Sequence, residues 1–122
     1  MFDFRINTKA NAILCVLKGR FDVPEAEAYV AKFREGIDKM RPGFTVISDL
    51  TEYAPSDEDV RRILQDGSAY AVEKGVARGI RVVPEKVASR VSNIQMNRTA
   101  RELGYEVEVV ASIEEAKALL GM

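Results

Sequence analysis

Asp49, Glu52, Tyr53 and Ser56 stand together in the run ISDLTEYAPSDED, a carboxylate pair, a phenol and a hydroxyl within one short stretch. Such groups could exchange protons with a ligand, or the serine could accept a phosphate. The chain has no histidine. There is therefore no Ser-His or Cys-His nucleophile pair, no imidazole for zinc, and no side chain that titrates near neutrality unaided. Nothing in the run supplies an oxyanion site or a fixed proton-transfer partner, and carboxylates without spaced companions are a poor metal signature. The expectation is a protein that is not an enzyme and uses neither cofactor nor metal.

Ser56 precedes Asp57, Glu58 and Asp59 at what reads as the start of a helix. As a cap, its hydroxyl accepts the N–H of the third residue and Asp59 returns the bond, while the acids complement the positive end of the helix dipole. As a phosphorylation site, it would bring a dianion against three carboxylates that repel it. The cap reading accounts for every residue of SDED.

A second group is cationic. Arg78, Arg81, Lys86, Arg90, Arg98 and Arg101 face only Glu85 between residues 78 and 101. In parallel α/β sheets the carboxyl ends of the strands form the ligand crevice, so Arg81, Lys86, Arg90 and Ser92 are candidates for holding a phosphate or carboxylate headgroup. The plain alternative is a solvated, self-complementing surface. Met40 and Met96, with Phe33, Val87, Val91 and Ile94, suit either an adaptable apolar slot or ordinary core. Val87, Val91 and Ile94 share one helical face, and Met96, Ala100 and Leu103 another. A homodimer interface, a membrane surface or a ligand would cover the surplus.

The elements that must position these groups are legible from pattern. At 122 residues, 47% hydrophobic and 30% charged, the chain has the size and balance of one globular domain, residues 1–122. Its net charge of −1 argues against nucleic-acid binding. The single Cys15 lies in the apolar run AILCVL and reads as a core residue in a reducing, cytoplasmic setting. No transmembrane segment or signal peptide is visible.

FDFRINT alternates as an edge strand, and AILCVLKG, apolar on both faces, should pair with it as an antiparallel hairpin. A helix follows with Pro24 in its first turn and a stripe of Ala26, Tyr29, Val30, Phe33, Ile37 and Met40, stopped by Pro42 and Gly43. FTVISDL is a strand that ends near Asp49. The next helix starts at Ser56, with Val60, Ile63, Leu64, Gly67 and Ala71 on one face and Gly75 as its C-terminal cap. RGIRVVP is a strand ended by Pro84. A loop or turn through about residue 91 leads to a helix from near Ser92 or Asn93 to Leu103, capped by Gly104. YEVEVV alternates as an edge strand, and SIEEAKALL opens on the capping box Ser112 to Glu115. The order is β-β-α-β-α-β-α-β-α: an α/β fold with a mixed five-stranded sheet, its first strand antiparallel at an edge.

The DL closing the third strand, the IQMNRTARELGYEV junction and the final SIEEAKALLG resemble the small bacterial proteins related to the sporulation anti-anti-sigma domain, the STAS fold. Within it they look most like the branch described together with the CRAL-TRIO lipid-exchange proteins. The resemblance covers Phe44 to Gly121 in motif and the N-terminal third in pattern. It implies a regulatory module that binds a protein partner, with a serine at the start of the second helix whose phosphorylation releases a kinase or anti-sigma factor. Ser56 holds the equivalent place, and SDED stands where that family usually has Asp-Ser-Ser-Gly or Asp-Ser-Ala-Gly. The candidate partner surface or switch is thus Asp49, Tyr53, Ser56, Asp59 and Arg62. The alternative is an amphipathic small ligand, lipid or otherwise, with its head near Arg81, Lys86, Arg90 and Ser92 and its tail against Met96.

Overall fold

The computed structural model describes residues 1–87 and 105–121. Two strands open the chain, β1 (Phe2–Asn7) and β2 (Ala12–Gly19), followed by α1 (Val23–Ile37), β3 (Thr45–Tyr53), α2 (Glu58–Glu73), β4 (Arg78–Val82), β5 (Glu106–Val110) and α3 (Ile113–Leu119). The helix expected between β4 and β5, from Ser92 or Asn93 to Leu103, lies outside the described residues.

All five strands form one sheet in the order β1-β2-β3-β4-β5. β1 runs antiparallel to β2, pairing Phe2 with Leu17 and Asn7 with Ala12, while β2, β3, β4 and β5 run parallel. The expected α/β class, mixed sheet and antiparallel edge strand are all present. Because the sheet advances one strand at a time, crossovers of one hand carry α1 and α2 to the same face.

That face holds the larger core. Ile13, Cys15 and Leu17 of β2 meet Tyr29, Val30 and Phe33 of α1 and Val60 and Ala71 of α2, with Phe21 and Phe44 fully buried at the strand–helix connections. Burial of a phenylalanine of this kind contributes about 1.5–3 kcal/mol. Tyr29 is the hub of the aromatic group, with ring centroids 5.0 Å from Phe4, 5.5 Å from Phe2 and 6.0 Å from both Phe21 and Phe33. The opposite face packs Ile47, Ile80 and Val82 against Ala116 of α3, with Leu14, Val110, Ile113 and Leu120 around them. The alternation of β2, apolar on both sides, is explained by these two layers.

The helix ends follow local chemistry with two departures from expectation. Asp22 caps α1, its carboxylate accepting the Glu25 N–H at 2.8 Å. Regular helix stops at Ile37, short of Pro42. There the Lys39 and Met40 N–H groups bond back to Gly36 and Ile37 carbonyls at 3.1 and 2.9 Å. Asn11 holds both the N–H and the carbonyl of Arg41, at 2.9 and 3.0 Å, drawing the chain out of the helix. Met40 still packs on the core from the turn.

The second departure is at α2. Its N-cap is Asp57, without a side-chain capping bond, so Ser56 lies one residue outside the cap and the expected Ser56–Asp59 reciprocity is not formed. The C-terminus meets expectation. Gly75 adopts φ +98°, the Val76 N–H reaches the Ala71 carbonyl at 3.0 Å, and the Gly75 N–H reaches Val72 at 3.1 Å. This is a Schellman turn, and Val76 and Ala71 bury together beneath it. At α3 the Ser112 hydroxyl accepts the Glu115 N–H at 3.2 Å, while the Glu115 carboxylate returns to the N–H of Ala111 at 3.1 Å, one residue before the box's usual target.

Candidate functional site

β3 carries one more residue than β2 at its carboxyl end. Val16 pairs with Asp49 and Lys18 with Glu52, so three steps of β3 lie against two of β2. A bulge of this kind reverses the alternation beyond it. Before it, Ile47 points to the α3 layer, and Asp49, two residues on, shares that side. After it, Leu50 and Tyr53 both join the α1–α2 layer. The Asp49 carboxylate is occupied locally, accepting the Thr51 hydroxyl at 2.7 Å and its N–H at 3.1 Å. Asp49 is thus separated by the sheet from Tyr53, close though they are in sequence.

Tyr53 is half-buried, its ring edge-on to Phe21 with centroids 5.7 Å apart. Its hydroxyl hydrogen-bonds that of Ser56. Burial raises its pKa above the ordinary tyrosine value, and the nearby Arg61 guanidinium opposes the shift. Asp57 is tied to Arg20 of the β2–α1 connection at 2.6 Å, and Lys18 to Glu52 at 3.4 Å. On α2, Arg62 pairs with Glu58 one turn earlier at 2.9 Å, and both it and Asp59 are exposed. The structure thus gathers Tyr53, Ser56, Asp59 and Arg62 along the β3–α2 loop and the first turns of α2, at the carboxyl end of the parallel strands, and leaves Asp49 on the other side.

Arg81 is half-buried on the α2 side of β4, opposite Ser48 and Val109. It lines a cleft of about 360 Å³ between α2 and the sheet. Arg61, Leu64, Gln65 and Ser68 line it from α2, Phe33 from α1, and Ser48, Tyr53 and Val107 from the sheet, with Tyr105 just before β5. Tyr53 and Arg81, assigned to two separate groups from sequence, therefore border the same cleft. Lys86 is exposed just beyond β4. Arg90, Ser92 and Met96 lie outside the described residues.

Sequence reasoning missed Arg20, which reaches the β3–α2 loop through a pairing distant in the chain, and Arg61 and Tyr105, which line the cleft. It also missed a groove on the opposite face, about 470 Å³, between the β1–β2 hairpin and α3. The apolar second face of β2 was its visible signal. Among the described residues no group of three or more His, Cys, Asp or Glu is arranged to hold a metal ion, and no helix is long and apolar enough to cross a membrane.

Cys15 is fully buried, and burial pushes its thiol up to about 12, opposed by a side-chain hydrogen bond with Tyr29. It is a core residue, as its apolar run suggested.

No protein-family model matches the chain, and no curated protein matches it either. Among solved structures it is similar to an uncharacterised protein of the DUF3478 family with a SpoIIAA-like fold from Shewanella loihica PV-4, with a TM-score of 0.77 and 10% sequence identity over 98% of this chain and 93% of that one. With its β1-β2-β3-β4-β5 sheet, antiparallel at one edge, and its two-sided helix cover, the chain has a SpoIIAA-like fold of the STAS kind.

Proposed function

We propose that this chain is a non-enzymatic regulatory module that binds a protein partner through the β3–α2 loop and the outward face of α2. The observation that carries the reading is the way the loop is held: the Tyr53 and Ser56 hydroxyls are bonded to each other while Asp57 is paired with Arg20. The pairings leave Asp59 and Arg62 presented from a helix whose other face is packed on the core. A surface displayed by a rigid scaffold suits recognition, and its adjacent charges of opposite sign favour a partner with complementary charges. The separation of Asp49 from Tyr53 and Ser56 supports a binding role over acid–base chemistry.

Affinity capture from cell extract with the parent protein and with an Asp59→Lys/Arg62→Glu double variant tests this. A protein held by the parent and lost by the variant, then shown to bind the purified parent at least 10-fold more tightly, supports the reading. Equal capture by both removes this surface from consideration.

A second reading is favoured by the cleft itself. Arg61 and Arg81 line it together with apolar Leu64, Phe33 and Val107, a combination suited to an amphipathic anion with its head at the guanidinium groups. Native mass spectrometry of protein purified from cells should then show a co-bound mass that Arg81→Glu eliminates.

A further inference from the structure

Among the described residues, the α3 side of the sheet is only partly covered. α3 has seven residues and packs its buried Ala116 over Ile47, Ile80 and Val82. The hairpin side of that face, floored by Leu14 and Ile47, is left as a groove of about 470 Å³ between α3 and the β1–β2 turn. This volume falls within the range of about 300–1,000 Å³ usual for small-molecule pockets.

Its lining is chemically divided. Ala12, Leu14, Ile47, Ile113 and Ala116 are apolar, and the charged members are Arg5, Lys9 and Lys117. No carboxylate lines it among the described residues, in a chain whose acids outnumber its bases, 19 to 18. Lys9 sits on the hairpin turn and Lys117 on the last turn of α3, so cations approach the groove from two elements. The hairpin's own polar groups are occupied: the Asn7 side-chain oxygen accepts the Ala10 N–H at 3.0 Å, and the Thr8 carbonyl accepts the Asn11 N–H at 3.3 Å. They shape the rim and leave Lys9 and Lys117 to meet a ligand's charge, while Arg5 stands 4.0 Å from the Asp3 carboxylate.

We infer that this groove binds a free fatty acid, its acyl chain along Leu14, Ile47 and Ile113 and its carboxylate at Lys9 and Lys117. An apolar floor alone would accept any hydrophobe. The two lysines select an anion, because a carboxylate there gains charge-assisted hydrogen bonds while a cationic head meets repulsion. The site is on the opposite face of the sheet from the α2 cleft and from the β3–α2 loop, and it stands independently of the function proposed for those surfaces.

The test is titration of the full chain with dodecanoate below its micelle concentration, followed by calorimetry and by the methyl resonances of Leu14, Ile47 and Ile113. The expected result is saturable binding that shifts those methyl signals, weakens at least 10-fold in Lys9→Glu/Lys117→Glu, and is unchanged in the charge-matched Lys32→Glu/Lys39→Glu. Dodecyltrimethylammonium, with the same chain and a cationic head, should bind at least 10-fold more weakly. Leu14→Trp, which fills the floor, should abolish binding. If that variant does not fold, the methyl shifts of the parent protein still locate the ligand. Absence of binding, equal affinity for the two head groups, or an equal loss of binding in Lys32→Glu/Lys39→Glu would each overturn the assignment. So would binding of phosphatidylglycerol vesicles with the same lysine dependence and no response to free dodecanoate, which would make the face a membrane contact.

Discussion

The hydroxyls of Tyr53 and Ser56 are bonded to each other across Ala54 and Pro55, which ties the end of β3 to the residue just before the α2 cap. Ser56 is thereby a loop clamp, and the capping position passes to Asp57. The distinction matters for regulation. A phosphate on Ser56 would break the clamp, and it would stand beside Asp57, Glu58 and Asp59, which repel it.

Removing the clamp should have a small, local effect. Tyr53→Phe and Ser56→Ala are each expected to cost about 1 kcal/mol, with a coupling of about 0.5–1.5 kcal/mol in a double-mutant cycle measured by urea denaturation. A coupling near zero would mean the two hydroxyls do not act together. In extract with labelled ATP, Ser56→Ala should take up as much phosphate as the parent, because the acids that follow Ser56 disfavour a dianion there.

Alkaline pH should unfold the protein through its buried acids. The Cys15 thiol is raised from an ordinary 9.0 to about 12, and burial raises Tyr29 well above its ordinary value. Each folded-state pKa lies above its unfolded value, so above pH 9 the unfolded chain gives up protons that the folded chain retains. The stabilisation is complete below the unfolded values and is lost as pH climbs toward the folded ones. Urea midpoints should fall steadily from pH 9 to 11, and Cys15→Ala should show a shallower decline. For the same reason the native thiol should resist alkylation until the chain unfolds.

Gly75→Ala tests the Schellman turn. Its φ of +98° disfavours any side chain, and a Cβ there would stand 3.2 Å from the Pro42 Cβ. A loss of about 1–2 kcal/mol in urea denaturation, with unchanged slope, is expected.

Arg78 joins three elements: its guanidinium contacts Glu108 of neighbouring β5 at 2.5 Å and donates to the Leu119 carbonyl of α3 at 3.0 Å. Both side chains of the pair are about three-quarters covered. Arg78→Ala should cost about 1–3 kcal/mol, because it strands a half-buried carboxylate and a helix-end carbonyl. Arg78→Met with Glu108→Leu should cost less than Arg78→Ala, since no charge is then left unpaired. Thermal melts of the three proteins decide it.

Much of the architecture was written in short-range pattern. The two-faced apolarity of Ile13 to Leu17, the stripe from Ala26 to Ile37 and the Gly75 stop each reflect a periodicity or a backbone angle that a few consecutive residues specify. The Ser112 side-chain cap is local in the same way. These features made the strand and helix order readable, and with it the α/β class. What pattern could not supply was where the fine geometry breaks period. Ser56 looked like a cap because SDED fits one. The Tyr53 hydroxyl, placed by a bulge, and Arg20, delivered from another connection, decided otherwise.

The candidate surfaces divide along the same line. Residue types, charge runs and the absence of histidine were properties of the sequence alone, and they already excluded imidazole chemistry. That Asp49 faces α3 while Tyr53 faces α2, that Arg61 and Arg81 share a cleft, and that Lys9 and Lys117 flank one groove were decided only by tertiary structure. The reason is physical: sheet register and the packing of distant segments set which faces meet, and a single extra residue in β3 is enough to send neighbouring side chains to opposite sides.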